Sequence, residues 1–229
     1  MIRNLFRILK KILLWSFLFS LALVILFRFV PPPVTPLMLV RCIDQRLDSD
    51  REVRLKKTWK PLTEIAQSLP LAVIAAEDQK FPDHFGLDWE AIRKARVYNA
   101  RHKGKRLHGA STISQQTVKN VFLWPSRSWI RKGLEVYFTI LIEIFWSKQR
   151  ILEVYLNVVE MGDGIYGVEA ASAYYFHKPA KRVSKTEAAL IAACLPGPLR
   201  WSPAKPTNYI KKRQAWILSN MQRISPVLK

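Results

Sequence analysis

The chain has 229 residues, enough for one domain of ordinary size plus an appendage. Its 49% hydrophobic content belongs to a globular protein and excludes a disordered one. Lys and Arg number 37 against 17 Asp and Glu, a formal net charge of +20. Such a field attracts nucleic acid, anionic lipid headgroups or phosphorylated substrates, and charge alone does not choose among them. The two cysteines, Cys42 and Cys194, match no metal-ligand spacing and imply no disulfide framework. Cys194 falls in an apolar run, where a thiol behaves as a small hydrophobe, and a Cys42–Cys194 bridge is the minor alternative.

Residues 12–27 are apolar except for Ser16 and Ser20; Arg28 interrupts, Phe29 and Val30 continue, and Pro31-Pro32-Pro33 stops the helix. A helix over 12–30 is roughly 28 Å long, close to the hydrocarbon thickness of a bilayer. Arg28 lies near one end, where its stem can carry the charge to the interface. Arg3, Arg7, Lys10 and Lys11 precede the run, so the positive-inside rule places a basic N-terminus, 1–11, in the cytoplasm and the chain beyond Pro31 outside. Ser20-Leu21-Ala22 resembles a signal-peptide cleavage site but falls in the middle of the apolar run, which favours a retained anchor. Residues 31–44 read as a linker, and 45–229 as one predominantly α domain.

Within that domain, 51–57 alternates loosely and suits one short strand, and helix signals dominate from Leu62 onward. Thr112 with Gln115, and Ser184 with Glu187, have capping-box spacing; Ser128 and Ser147 suit N-caps of helices reaching about Trp146 and Asn157. A last helix is expected from about Asn208 to Ile224, and no hairpin is expected.

Four blocks carry candidate chemistry. In Glu77-Asp78-Gln79-Lys80-Phe81-Pro82-Asp83-His84-Phe85-Gly86, two acids end the apolar run 71–76. A carboxylate there loses solvation, which raises its pKa and makes it a better base; Pro82 and Gly86 suit a turn returning His84 toward the acids. A capped helix end with surface charges explains the same spacing equally well. In the second block, Thr112, Gln116, Lys119 and Asn120 share one helix face, with small residues ahead of it that leave room for phosphate at the helix N-terminus. A solvated polar face is the commoner outcome of such spacing. In the third, Arg131 and Glu135 are one turn apart, and Glu135 heads a run that looks buried. In the fourth, Glu153 and Asn157 are spaced i, i+4, the loop 162–167 is tight, and Ala170, Ala171 and Ala173 suit close helix packing.

These blocks, in this order, resemble the bacterial peptidoglycan glycosyltransferases, and among them the monofunctional transglycosylases, over about residues 60–205. The carriers are Glu77-Asp78-x-x-Phe81-x-x-His84-x-Gly86 and Gly109-Ala110-Ser111-Thr112-Ile113-x-Gln115-Gln116-x-x-Lys119-Asn120, with a looser last motif at 195–203. The resemblance implies a mostly α, lysozyme-like domain beside a membrane-proximal lobe, preceded by one transmembrane helix. It implies lipid II as substrate, with Glu77 deprotonating the acceptor 4-hydroxyl for inverting attack on the lipid-linked growing chain. A β-1,4 bond forms and undecaprenyl pyrophosphate leaves. Glu135 takes the second acid's place at the donor site, and Lys119 and Arg131 neutralise pyrophosphate. Thr112, Gln116 and Asn120 match donor contacts, and Asp78, Phe81 and His84 complete the substrate-binding set. A divalent cation, Mg or Mn, often supports family members, although the sequence requires none. The implied partners are lipid II, the growing chain and anionic membrane lipids, with cell-wall synthesis or division proteins as further candidates and nucleic acid excluded. The implied location is the bacterial inner membrane with a periplasmic catalytic domain.

Two rivals remain on the sequence. A glycan-cleaving lysozyme or lytic transglycosylase also uses acids in an α-rich fold but needs no pyrophosphate-binding cations. A membrane-tethered polyanion-binding module explains the charge and the anchor but not the paired acids. Ser202-Pro203-Ala204-Lys205 matches the Ser-x-x-Lys nucleophile pattern by chance, since no Lys-Thr-Gly exists and no second domain remains.

Overall fold

The computed structural model describes residues 2–48, 50, 52–102, 109–126 and 128–224, and among them run ten helices and three short strands. The mostly α reading stands. The first helix, α1 (Ile2–Phe29), is apolar and mostly exposed, and alone among the described helices is long and apolar enough to cross a membrane. Its length, roughly 42 Å, exceeds the hydrocarbon core of a bilayer. Its C-terminal third docks on the domain: Val24 is fully buried, and the Trp146 indole donates to Val24 O at 2.8 Å. Arg150, on α7 (Lys148–Val158), donates to Phe27 O at 2.8 Å and Val30 O at 3.0 Å. These are carbonyls that a helix end leaves open.

The stretch read as linker contains a helix, α2 (Pro36–Leu47), with Thr35 as N-cap and Pro36 at its first position. Thr-Pro is the start signal that the preceding proline run obscured. Met38 and Gln45 bury α2 against the domain; Gln45 donates to Asp163 at 2.9 Å and Arg41 to Glu160 at 3.1 Å.

A three-stranded sheet follows the order β1-β3-β2, with β1 (Lys56–Lys57) parallel to β3 (Ile165–Tyr166), and β3 antiparallel to β2 (Glu160–Gly162). Of the strand expected over 51–57, residue 51 lies outside the described residues and only Lys56–Lys57 pairs. The expectation of no hairpin is overturned by β2 and β3, which turn on Asp163-Gly164 with Gly164 at φ +67°. Asp-Gly is a favoured hairpin pair, and it sat in full view inside a segment too short to show strand periodicity.

The rest of the domain is a helix stack. α3 (Ser68–Glu77) is buried over most of its length and packs between α9 (Lys185–Cys194) and α10 (Asn208–Met221). The alanines of α9, opened by the Ser184/Glu187 capping box, allow that close approach. α5 (Ile113–Phe122), opened by the Thr112/Gln115 box, packs against α6 (Trp129–Phe145) and α7. α4 (Trp89–Arg101) is capped by Asp88, and α8 (Gly167–Phe176) packs on α7 and the sheet. Asn157 and Glu153 are structural: they bind the backbone of Lys60 and Leu62 at 2.8 and 2.9 Å and fix the segment entering α3. Both thiols are free, and burial pushes that of Cys194 up to about 11.

Gly167 has φ +78°, and a Cβ there would meet the Asn157 carbonyl oxygen at 2.7 Å, a backbone atom that cannot swing away. Gly167→Ala is therefore expected to destabilise the fold by about 2–3 kcal/mol. Thermal denaturation in detergent would read this as a fall of roughly 4–12 °C, and an unshifted transition would contradict it.

Candidate active site

Two cavities meet at Gln116 and Pro196, which line both. The first, about 800 Å³, is lined by Glu77, Asp78, Lys80, Thr112 and Arg213 among others. The second, about 620 Å³, is lined by Arg41, Lys119, Asn120, Trp124, Arg131 and Glu160 among others.

Glu77 is the last residue of α3, 14% exposed at its side chain. Burial holds its carboxyl above the ordinary carboxylate range, partly offset by a hydrogen bond from Gln116 and by the charges of Arg213 and Lys119. Gln116 Nε2 donates to Glu77 Oε2 at 2.9 Å, while the buried Tyr155 hydroxyl donates to Gln116 Oε1 at 3.1 Å. Because an ionised carboxylate only accepts, the amide turns its NH₂ toward Glu77 and its oxygen toward the Tyr155 hydroxyl. Burial raises the Tyr155 pKa well above its usual value, so it stays a donor. Arg213, from α10, reaches both Glu77 Oε1 and the Ala76 carbonyl at 3.4 Å, neutralising the C-terminal end of α3.

Asp78 faces inward. It accepts from His84 Nε2 at 2.9 and 3.0 Å and from the Ile113 backbone N–H at 3.0 Å. Thr112 Oγ1 donates to Gly86 O at 2.6 Å, so the loop after α3 is pinned to the head of α5 at two points. At this helix N-terminus, where the sequence suits a phosphate, the N–H groups of Ile113 and Gln115 are taken by Asp78 and by the Thr112 cap.

In the second cavity Lys119 is exposed at the mouth yet walled by protein. Desolvation lowers its pKa first; Glu135 opposes, Arg131 adds to the lowering, and Glu77 opposes more weakly. Glu135 is 2% exposed and bridges Arg131 at 2.8 Å and Lys132 at 2.5 Å. It lines neither cavity and sits behind the cations.

The face Thr112-Gln116-Lys119-Asn120 is thus divided. Thr112 opens to the Glu77 cavity, Lys119 and Asn120 to the cation cavity, and Gln116 to both. Phe81 is fully buried under Lys148 and belongs to the core, and His84 supports Asp78 without lining either cavity. Arg213, Tyr155, Arg41 and Glu160 were missed; none carries a local sequence signal. Glu160 is buried, its carboxyl raised by burial against the opposing charge of Arg41. Among the described residues no three His, Cys, Asp or Glu side chains gather into a metal cage.

A cavity holding a desolvated carboxylate adjoins one lined by cations, an arrangement that suits group transfer with an anionic leaving group. A family profile described as Transglycosylase matches residues 45–222. A biosynthetic peptidoglycan transglycosylase of Pseudomonas fluorescens is 51% identical over 224 residues, covering 98% of this chain and 92% of that relative. One of Bdellovibrio bacteriovorus is 53% identical over 221 residues (96% and 86%), and one of Bacteroides thetaiotaomicron 50% over 223 (97% and 89%). The chain belongs to the transglycosylase family. It is a peptidoglycan glycosyltransferase that polymerises glycan strands, with lipid II or the growing glycan chain as substrate.

Opposite stability effects are expected at the two neighbouring acids. The Glu77 pKa is raised in the fold, so its contribution is fully present below the unfolded value of 4.5 and is lost as pH rises through the folded value. At neutral pH its charge is a cost, and Glu77→Gln keeps or raises the melting temperature. Asp78→Asn turns an amide N–H toward a donor and is expected to cost about 1–3 kcal/mol. Melting curves at pH 7 in which Glu77→Gln is the less stable variant would contradict this.

Proposed function

We propose that Glu77 is the general base of the polymerising step. The observation that carries this is its position: a desolvated carboxylate opening onto one cavity, next to a cation cavity that shares Gln116 with it. The acceptor lipid II lies in the Glu77 cavity and presents its 4-hydroxyl. Glu77 takes that proton as the oxygen attacks the anomeric carbon of the donor chain from the face opposite the pyrophosphate. The β-1,4 bond forms with inversion, and undecaprenyl pyrophosphate departs into the cation cavity, where Lys119 and Arg131 meet the developing charge. Glu135 acts through Arg131 and Lys132, holding both cations in place, so it is a positioning residue and not a second acid.

The apolar α1 with its basic N-terminal flank supports a retained single-pass anchor, N-terminus cytoplasmic and catalytic domain on the outer face of the inner membrane. Ser20, within the cleavage-like Ser20-Leu21-Ala22, shares a 2.7 Å hydrogen bond with Tyr137 of α6, a contact that removal would forfeit, which supports retention. The +20 charge suits anionic headgroups.

Glu77→Gln is expected to lower polymer formation from purified lipid II by about 10²–10⁴-fold while lipid II still binds. Full activity would sink the assignment. Arg213→Gln removes a charge that lowers the Glu77 pKa, so the acidic limb of the kcat/KM pH profile should move to higher pH. A limb that stays put or moves to lower pH would show that another group titrates there.

A further inference from the structure

Arg41 stands on α2, the helix that follows the anchor, and lines the cation cavity. Glu160 of β2 fixes its position. Arg41 Nε donates to Glu160 Oε1 at 3.1 Å and Nη2 to Glu160 Oε2 at 3.3 Å, a side-on fork, and the Tyr166 hydroxyl donates to the same carboxylate at 3.4 Å. Glu160 is buried, so losing its cation would leave an uncompensated charge. As a way of docking α2 this pair is inefficient, because apolar side chains of the same volume would hold the helix as well or better. Met38 and the Gln45–Asp163 hydrogen bond already do so. The pair therefore calls for a second explanation, and the cavity it faces supplies one.

A guanidinium carries five N–H donors, and Glu160 engages two of them. Nη1 lies 4.0 Å from Oδ2 of the exposed Asp44, beyond hydrogen-bond reach. The Arg41 side chain is 32% exposed, so donors remain for a ligand in the cavity. Lys119 comes from α5 and Arg131 from α6, which gives the cavity cationic groups from three helices. A diphosphate offers two phosphates with several acceptor oxygens each, and a planar fork held in one orientation matches them better than a mobile ammonium. Because Arg41 is paired with Glu160, it brings directed donors with little net charge and adds little to the repulsion that Arg131 exerts on Lys119.

We infer that Arg41 is a third ligand of the leaving pyrophosphate, held ready by Glu160, so that α2 is part of the leaving-group site. The inference rests on the preceding reading, which puts the pyrophosphate in the cation cavity. A phospholipid headgroup is the other source of phosphate within reach of a helix that follows the anchor, and the test separates the two.

The test uses purified lipid II and the full-length protein in a detergent free of phospholipid. Arg41→Gln should lower kcat/KM by about 10- to 100-fold, the worth of a lost charged hydrogen-bond contact. The loss should be the same when phosphatidylglycerol is added. A defect confined to phosphatidylglycerol would show that Arg41 reads a membrane headgroup, and overturns the inference. Gln45→Ala is the docking control: it unpairs Asp163 and the Arg54 N–H, and should lower the melting temperature while keeping kcat/KM within about twofold of wild type. A Gln45→Ala enzyme as impaired as Arg41→Gln would reduce Arg41 to a docking contact, and full activity in Arg41→Gln overturns the inference outright. Should Arg41→Gln fail to fold, footprinting of wild type decides. Inorganic pyrophosphate should slow the modification of Arg41 by phenylglyoxal and leave that of Arg46 unchanged, since Arg46 is exposed on the same helix outside the cavity. An unprotected Arg41, or equal protection of Arg46, overturns the inference. Wild type that makes no polymer from lipid II overturns the function reading itself, so the two failures are distinct.

Discussion

Burial at the end of α3 disfavours the charge that a base must carry at Glu77, and the surrounding structure is arranged around that conflict. Full exposure would leave an ordinary weak base; burial without partners would leave a neutral acid. The compromise draws one group from each of two other helices: the Gln116 amide from α5 and the Arg213 guanidinium from α10. The amide is held in turn by the Tyr155 hydroxyl of α7. Four helices are thereby set by the needs of one carboxylate, and the neighbouring Asp78 fixes the distance between two of them by holding the head of α5 to the loop after α3.

The anchor belongs to the same framework. Arg150 accepts no compromise in its donors: it caps the carbonyls at the end of α1 and pairs with Glu153 at 2.5 Å. Glu153 accepts from the Leu62 N–H, in the segment that leads into α3. A short chain of charge-assisted hydrogen bonds therefore ties the membrane helix to the helix that ends in Glu77. A catalytic group working on a substrate that stays in the bilayer must be held at a fixed height above it, and this linkage, together with Trp146 on Val24, supplies a stiff connection where a flexible tether would not.

Much of this was legible in the sequence where the signal is local. Caps at Thr112, Ser128, Ser147 and Ser184 stand where their spacing placed them, because a cap is decided within four residues. The Arg131–Glu135 contact is local in the same sense. The paired acids were visible as chemistry, but their different partners were not: which of Glu77 and Asp78 has its carboxylate taken up by His84 and the Ile113 N–H depends on where α3 stops and on what α5 brings to it. Arg213 and Tyr155 left no trace, since their roles arise only when helices far apart in the chain meet. Helix α2 was hidden by the prolines before it, and the β2–β3 hairpin by strands too short to show a period. Phe81 and His84 belong to the motif yet turn inward, so motif membership marked their importance without distinguishing support from substrate contact.

Placing cations and a base in one active site creates an electrostatic problem that the two-cavity arrangement answers. A positive charge beside Glu77 holds its proton affinity down and weakens it as a base, while a positive charge far from the leaving pyrophosphate does nothing for the transition state. Burial depresses the Lys119 pKa first, and repulsion from Arg131 adds to the lowering. Glu135, buried behind them, relieves that repulsion, and Lys119 feels Glu135 and Arg131 more strongly than it feels Glu77. Gln116, neutral and fixed in orientation, stands at the junction and gives Glu77 a donor without adding a full charge. An Arg or Lys at 116 would satisfy the same hydrogen bond while pulling the base toward permanent ionisation and lower reactivity. In the proposed mechanism the uncharged amide at that position, beside the single charge of Arg213, lets proton abstraction and leaving-group stabilisation proceed side by side.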